Sequence, residues 1–444
     1  MKTEKNIVVL GGGFAGTAFA KTMVKLLPAG YRLVLVSEES YTTFNPMLPE
    51  AVGASIFPEQ VVAPLREVLR LQDRKVNSRF VMGRVTAVDL EAHNLTCTSL
   101  AGETQLSFEH LVLAFGNRAR LDLISGMAQH ALPLKTVGDA MHIRNVVLRR
   151  LARIELETDP ALRQRLGHFV VIGGGFSGIE VAGELVDCLH SILSFYPGVQ
   201  KDELGVTVVQ NLDRLLPELP MPLGLKALQS LRQRGVDVRL NLSAVEVRED
   251  GVRFSDGSDL AAATVISTIG TRANALAETL AAQYGIELVR GRFRTLPDMR
   301  IPGQERLWAV GDCAQIPNAH DAQSAPPTAQ FAIREGQLVA RNLAAVLRGQ
   351  DTTPLNYQAR GMMAALGHRR GVALVFGFTI SGLPAWLLWR AYYLSQMPTL
   401  GRKLRIFVEW TWGMFFRADI THLRFTRSEE LQSPTPIVRP SRVA

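Results

Sequence analysis

The chain has 444 residues, nearly half of them hydrophobic and a fifth charged, with a formal net charge of +8. That length calls for two to four cores rather than one, and that composition excludes a disordered or collagen-like chain. Cys97, Cys188 and Cys313 lie far apart and form no C-x-x-C pair, which argues against a disulfide framework, a zinc finger and an adjacent redox dithiol and fits a reducing compartment.

Ile7–Leu10 is a short apolar run leading at once into Gly11, Gly13 and Gly16, the spacing G-x-G-x-x-G. A run of four followed by glycines does not make a signal peptide. In such a turn the first glycine allows the bend, the second lets backbone approach a pyrophosphate, and the third lets helix pack on strand. Phe14–Leu26 reads as the helix that follows, its first N–H groups aimed at phosphate. Strand Arg32–Ser37 then ends at Glu38 and Glu39, about 20 residues past the glycines, where a carboxylate holds a ribose hydroxyl. Strand, turn, helix and acid together predict a dinucleotide site, with Glu38 favoured because it comes first after the strand.

Further on, Tyr41–Val52 reads as a loop, Phe80–Leu90 and Leu95–Ser99 as strands of a small meander, and Leu111–Gly116 as a buried strand ending in glycine. Val137–Glu157 carries Ile143, Val147, Leu151 and Ile154 at helical spacing. The opening then repeats: FVVIGGGFSGIE at Phe169–Glu180 aligns with IVVLGGGFAGTA, and Gly173, Gly175 and Gly178 predict a second dinucleotide site. Its helix continues through Glu184–Leu193. Next come strand Gly205–Gln210, helix Leu223–Arg234, strand Val236–Leu240 and a meander ending in Thr264–Gly270. Thr271–Pro302 reads as a connecting stretch and Leu307–Val310 as a strand running into Gly311 and Asp312. Ala325–Leu347 opens on PPTAQ and becomes a long helix, and Asp351–Asn356 reads as a linker.

From Arg360 onward there are twelve Lys/Arg against four Asp/Glu, and four of the five tryptophans, so a basic aromatic tail follows a nearly neutral body. Gly371–Trp389 is uncharged and about as long as a membrane span. Gly377, Ser381, Gly382 and Pro384 break it into a strand-like half and a short helix, which argues against a transmembrane segment. Arg402–Phe416 sets Leu404, Phe407, Val408, Thr411 and Phe415 on one helical face and Arg402, Arg405 and Glu409 on another. By pattern alone that suits a membrane interface or a core or dimer helix equally. The large apolar runs between the basic residues argue against nucleic acid, and Ser428–Ala444 reads as disordered.

Two dinucleotide units, the second inserted into the first, with WAVGDCA at Trp308–Ala314, resemble the two-dinucleotide-binding flavoproteins over residues 5 to about 345. GGGFSGIE at 173–180, TFNPMLPEAVGA at 43–54, PTAQFAIREG at 327–336 and SGLPAWLLWRAYYL at 381–394 are similar to segments of the type II NADH:quinone oxidoreductases. Those are single-chain, non-pumping enzymes of the membrane surface. The resemblance implies an α/β fold of two Rossmann-like domains plus a C-terminal membrane-associating region. FAD would be held by 1–125 and 271–350, and NAD(P)H by 126–270 with its core from 168. The membrane region would be 351–427 and the tail 428–444.

By the same resemblance FAD meets Gly11, Gly13, Phe14, Ala15, Gly16, Glu38, Asn45 with Pro46, Ala114, Gly116, Asp312 and Gln330. NAD(P)H meets Gly173, Gly175, Gly178, Glu180, Gln210 and Gly270, and Glu180 and Gln330 are the catalytic residues. No metal is implied. The partners implied are a quinone and an anionic lipid surface reached through 371–416, on the cytoplasmic side of the membrane, with a homodimer as the alternative use of the tail. Three departures stand out. Gln210 replaces an acid that would repel a 2′-phosphate, so NADPH use is open, with Arg214 either its partner or a solvated surface residue. Arg334 replaces the second glutamine of an AQxxxQ helix, and Ser37 stands where relatives often carry an acid. The related sulfide:quinone reductases need cysteines near the flavin, and only Cys313 lies in flavin-binding sequence, so sulfide chemistry is disfavoured. A flavin diaphorase with another acceptor and a slow redox sensor are the alternatives.

Overall fold

A run of four or five apolar residues is stable only between covered faces, and the two runs that precede the glycine turns become central, parallel-paired strands of two sheets. The computed structural model describes residues 4–70, 77–359 and 361–422. Lys5–Leu10 lies between Tyr31–Ser37 and His110–Leu113, all parallel. His110–Leu113 pairs on its other side with Gln304–Ala309, a strand from far along the chain. The full eight-stranded order is Arg300–Ile301, Gln304–Ala309, His110–Leu113, Lys5–Leu10, Tyr31–Ser37, Ser78–Asp89, Asn94–Ser99, Gly102–Ser107, the last three forming an antiparallel meander. The second sheet is parallel throughout: Ala131–Pro133, Thr264–Ser267, His168–Ile172, Gly205–Val209, Asp237–Arg239. Where the chain passes between the sheets, outward and back, Arg118–Ala119 pairs with Thr271–Arg272.

Helix Phe14–Leu26 is crossed by Ala329–Val346 at Gly336, where any Cβ would run into the Ala15 carbonyl. That late helix starts at Ala329, just after Pro326 and Pro327, which hold the chain extended. Helix Val137–Ile154 is opened by a capping box between Thr136 and Asp139. Two expected loops are ordered instead. Tyr41–Val52 contains strand Tyr41–Thr43 paired with Val62–Pro64, a 3-10 turn at Asn45–Met47 and helix Leu48–Val52, with Pro46 and Pro49 in first-turn positions. Thr271–Pro302 contains helix Ala275–Tyr284, capped by Asn274, and the pair Leu288–Val289 and Arg292–Arg294.

In the C-terminal region Gly361–Ala365, Gly371–Val375 and Phe378–Ser381 form an antiparallel sheet, followed by helices Leu383–Gln396 and Leu400–Trp412. Trp386, Trp389, Ile406 and Trp410 share one core with helix Phe176–Ile192 of the second sheet. The last helix turns its expected apolar face outward. Leu404, Phe407 and Val408 are more than half exposed, while Arg402 donates to the Glu59 carbonyl and Glu409 accepts from the Phe57 amide. Residues 428–444, expected to be disordered, lie outside the described residues.

Both turns depend on close backbone contact: a Cβ on Gly16 would strike the Gly11 carbonyl, and one on Gly178 the Gly173 carbonyl. Gly13, by contrast, has nothing within 4 Å of its Cβ position. Gly16→Ala should therefore cost ~1–3 kcal/mol of overpacking, with a visibly lower Tm, and Gly13→Ala almost nothing. Equal Tm values for the two variants would show that the turn is not a tight contact.

Candidate active site

Gly11 (φ +110°) and Gly173 (φ +116°) occupy backbone conformations that side chains disfavour, and each bends its strand into a helix. Those helices are capped by Gly13 and Gly175, without a side-chain hydrogen bond and without an acid in the first turn. Their leading N–H groups thus keep a partial positive charge, and the Cβ positions of Gly13 and Gly175 open into free space. An uncapped N-terminus beside an open cradle is what a pyrophosphate requires, so both turns fit a dinucleotide.

Around the first turn, Ala114 packs close to Gly16, and Gly116 leaves open space at φ +64°. Phe14 and Ala15 begin the helix. Glu38 is half-buried and accepts from Arg118 at 2.9 Å and Arg84 at 3.3 Å. Burial works against its charge, but the two guanidiniums prevail and hold the carboxyl below its ordinary range. The Thr136–Asp139 capping box also fixes Lys135, whose amide donates to Asp139 at 2.9 Å. Lys135 then reaches Asp312 Oδ2 at 3.7 Å, and its carbonyl accepts from Asn45 Nδ2 at 3.3 Å. Burial pushes Asp312 up and Lys135 pulls it back. Glu335 accepts from the Gly311 amide at 2.8 Å, fixing the bend that carries Asp312. Burial pushes it up to about 7. Sequence reasoning missed Lys135, which carries no local signal. It also missed Glu335, whose signal was legible: an acid on the buried helix face with Phe331, Ala332 and Val339.

At the second turn Gln210 is buried, its Oε1 accepting from the Gly174 amide at 3.2 Å and its Nε2 donating to the Arg214 carbonyl at 3.3 Å. The Arg214 guanidinium donates to the Pro217 carbonyl at 2.8 Å. At Gly270 (φ +74°) the space a Cβ would take is filled by Leu123. Glu180 and Gln330 come from different parts of the chain, and one C-terminal strand ties them together. Glu180 accepts from the Ala365 amide at 3.0 Å, and Gln330 donates to the Gly361 carbonyl at 2.9 Å. These are the two ends of strand Gly361–Ala365. Gln330 also accepts from Tyr357 Oη at 3.3 Å, and Arg334 lies over the Tyr357 ring. Phe14, Phe44 and Tyr393 make an edge-to-face chain, 5.4 and 5.6 Å between centroids, from the first turn to the C-terminal helix. Cys313 donates to the Val310 and Leu113 carbonyls, and burial pushes its thiol up to about 12, so it is no nucleophile.

Two glycine turns, each after a parallel-paired strand, define a pyridine-nucleotide-dependent oxidoreductase, and the family model described as pyridine nucleotide-disulphide oxidoreductase matches residues 5–336. The type II NADH:quinone oxidoreductase Ndh of Mycobacterium tuberculosis is 28% identical over 414 residues, 91% of this chain and 87% of that protein. The type II NADH:quinone oxidoreductase of Staphylococcus aureus is 30% identical over 387 residues, 86% of this chain and 92% of that protein. The chain belongs to the type II NADH:quinone oxidoreductase family. In fold it matches NDH2 from Plasmodium falciparum in complex with NADH, with a TM-score of 0.87 at 17% identity over 94% of this chain and 100% of that one.

A buried acid raised to about 7 makes stability fall as pH rises, because between its ordinary value of 4.5 and 7 the folded chain binds more protons than the unfolded one. Glu335→Gln keeps an acceptor for the Gly311 amide and removes that titration. Relative to wild type, its Tm should therefore rise progressively from pH 4.5 to 7, by at most about 3 kcal/mol in stability. A pH-independent difference would contradict the buried assignment.

Proposed function

We infer that the chain is an FAD-dependent NADH:quinone oxidoreductase working at a membrane surface. The observation that carries this reading is the pair of uncapped glycine-turn helices, one per sheet, with Glu180 and Gln330 tied to one strand between them. The mycobacterial and staphylococcal relatives bear the same activity in their names. When bound, FAD would supply the redox chemistry, accepting a hydride from NADH and passing two electrons to a quinone, so no side-chain nucleophile is required. The chain supplies binding, orientation and a proton. The Gly11–Gly16 turn, with Phe14 and Ala15, binds the FAD pyrophosphate, Glu38 a ribose hydroxyl, and Asn45, Asp312, Ala114 and Gly116 line the remainder. The Gly173–Gly178 turn binds NADH, with Gly270 and Gln210 alongside. Glu180 holds a proton for the acceptor, and Gln330 borders the acceptor's place. The paired crossings at Arg118–Ala119 and Thr271–Arg272 support a division into an FAD part, 1–125 with 271–350, and an NADH part, 126–270. Purified protein should oxidise NADH in the presence of a short-chain quinone; oxidation that ignores the quinone would point to another acceptor.

Gln210 offers an amide where a carboxylate would repel a 2′-phosphate, which supports use of NADPH beside NADH. Gln210→Glu should lower kcat/KM for NADPH about tenfold and change that for NADH less, measured with each nucleotide in turn. An unchanged ratio would remove Gln210 from donor selection.

The outward face of the C-terminal helices supports attachment to a membrane. Leu400, Leu404, Phe407, Val408, Trp412 and Phe415 are exposed together. Lys21, Lys25, Arg70 and Lys403 cluster beside it, a positive field suited to anionic lipid. No helix among the described residues is long and apolar enough to cross a membrane. The reading is a peripheral protein on the cytoplasmic face. Replacing Leu404, Phe407 and Val408 together by Ser should abolish sedimentation with anionic vesicles while leaving FAD content unchanged. Retained vesicle binding with a lost dimer would make this face a subunit interface.

A further inference from the structure

Three carboxylates and one guanidinium are enclosed where helix Leu48–Val52, helix Phe176–Ile192 and the two C-terminal helices meet. Glu50, Glu180 and Glu184 are each more than nine-tenths buried. Glu180 and Glu184 stand four residues apart on one helix face, and both face Glu50. Glu50 is the only one of the three in contact with the cation: Oε1 lies 3.6 Å from Arg390 Nη2, and Oε2 accepts from Trp410 Nε1 at 3.1 Å. The Arg390 guanidinium sits 3.7 Å from the centroid of the Trp386 ring and 4.7 Å from that of Trp410, so two aromatic faces hold it in place.

The remaining groups around this enclosure have their own partners. Arg144, buried beside Glu409 and Cys188, donates to the Asp419 carbonyl at 3.2 Å, and His368, edge-on to Trp386, is held below its ordinary range by burial and then by nearby arginines including Arg390. Glu184 accepts from Ser55 Oγ, and Asp187 beside it is paired with Arg234 at 2.9 Å. Glu180 accepts from the Ala365 amide, which favours its charge, and lies near the Tyr393 hydroxyl. Glu409 faces Glu50 from the last helix and accepts from the Phe57 amide. Cys188 lies by Glu184, and burial pushes that thiol up to about 12.

One buried cation balances one buried anion. A second ionised carboxylate in the same enclosure would carry its full desolvation cost and face a like charge. Burial pushes the Glu50 carboxyl up as well, but Arg390 and the Trp410 indole pull it back; as the one of the three that touches the guanidinium, Glu50 takes the charge, and the other two keep their protons. Burial first, then Glu50, pushes Glu184 up to about 8, and burial raises Glu180 well above its ordinary range.

We propose that Glu50 and Arg390 are positioning residues for Glu180: their buried pair fixes a negative charge beside Glu180 that keeps it protonated, so the C-terminal helix bearing Arg390 sets the pH range over which Glu180 can donate. This rests on the reading of Glu180 as the acid of the acceptor reaction. NADH, one proton and a quinone become NAD+ and a quinol, so the hydride supplies both electrons and one hydrogen, and the second proton enters from solvent. Glu180 breaks its O–H bond as an O–H bond forms on the quinone oxygen, and solvent then reprotonates it.

The test is the pH profile of kcat with NADH and a short-chain quinone, using full-length protein with FAD bound. Activity that needs protonated Glu180 falls on the alkaline side. Glu50→Gln should move that falling limb about one pH unit lower, roughly a tenfold loss of rate on its slope. Arg390→Met, by letting Glu50 take a proton, should move it the same way. The double variant leaves no buried ion unpaired, and so remains informative where a single variant does not fold. Glu50→Asp should restore the wild-type limb, which a packing defect would not do. Independently of turnover, the infrared band of a protonated carboxyl, assigned by its loss in Glu180→Gln, should vanish at lower pH in Glu50→Gln than in wild type. Coincident limbs in wild type, Glu50→Gln, Arg390→Met and the double variant, with the limb abolished in Glu180→Gln, would overturn the proposal and leave the Glu180 reading standing. A limb that survives in Glu180→Gln would overturn both.

Discussion

Helices Phe14–Leu26 and Phe176–Ile192 both begin on a glycine that offers no side-chain cap. Their leading N–H groups therefore have to be satisfied from outside the chain, by water or by an anion. That requirement places the bend tightly against the preceding strand, which is why Gly16 and Gly178 lie on the carbonyls of Gly11 and Gly173. It also places each helix on parallel-paired strands buried on both faces, and so accounts for the all-apolar central strands. Such a helix start is costly to leave empty and favourable to fill with phosphate.

The C-terminal region is part of the same construction. Its first strand receives Glu180 at one end and Gln330 at the other, and its tryptophans complete the core of the second sheet. The outward apolar face of helix Leu400–Trp412 is one helix thickness from the Glu50–Arg390 pair. The same helices thus turn an exposed apolar face outward and enclose the Glu50–Arg390 pair on their inner side.

What was legible in the sequence was what local pattern determines. Helix Phe14–Leu26 has the expected bounds, and each copy of the repeated glycine turn opens a helix as its spacing predicts. Tyr41–Val52 was misread because prolines that mark turns also start helices, and Pro46 and Pro49 do the latter. Thr271–Pro302 was misread because its strands are two or three residues long and exist only through partners such as Ala314–Gln315. Lys135 joins Asp312 across the fold, and Glu50 joins Arg390 across most of the chain. Neither pairing leaves a trace in spacing. Helix Leu400–Trp412 is amphipathic as its pattern says, and pattern alone leaves open which side meets the protein; the resemblance, which points the apolar stripe outward, agrees with its exposure. Trp410 and Ile406, not the longer apolar stripe, turned inward.

The most direct test of the account is anaerobic mixing of the FAD-loaded protein with NADH in a stopped-flow spectrometer, followed by mixing with a short-chain quinone. Rapid bleaching of the flavin absorbance and its rapid return on quinone addition are the predicted result. Bleaching without return would contradict the quinone assignment, and no bleaching at all would contradict the reading of the second glycine turn as the NADH site.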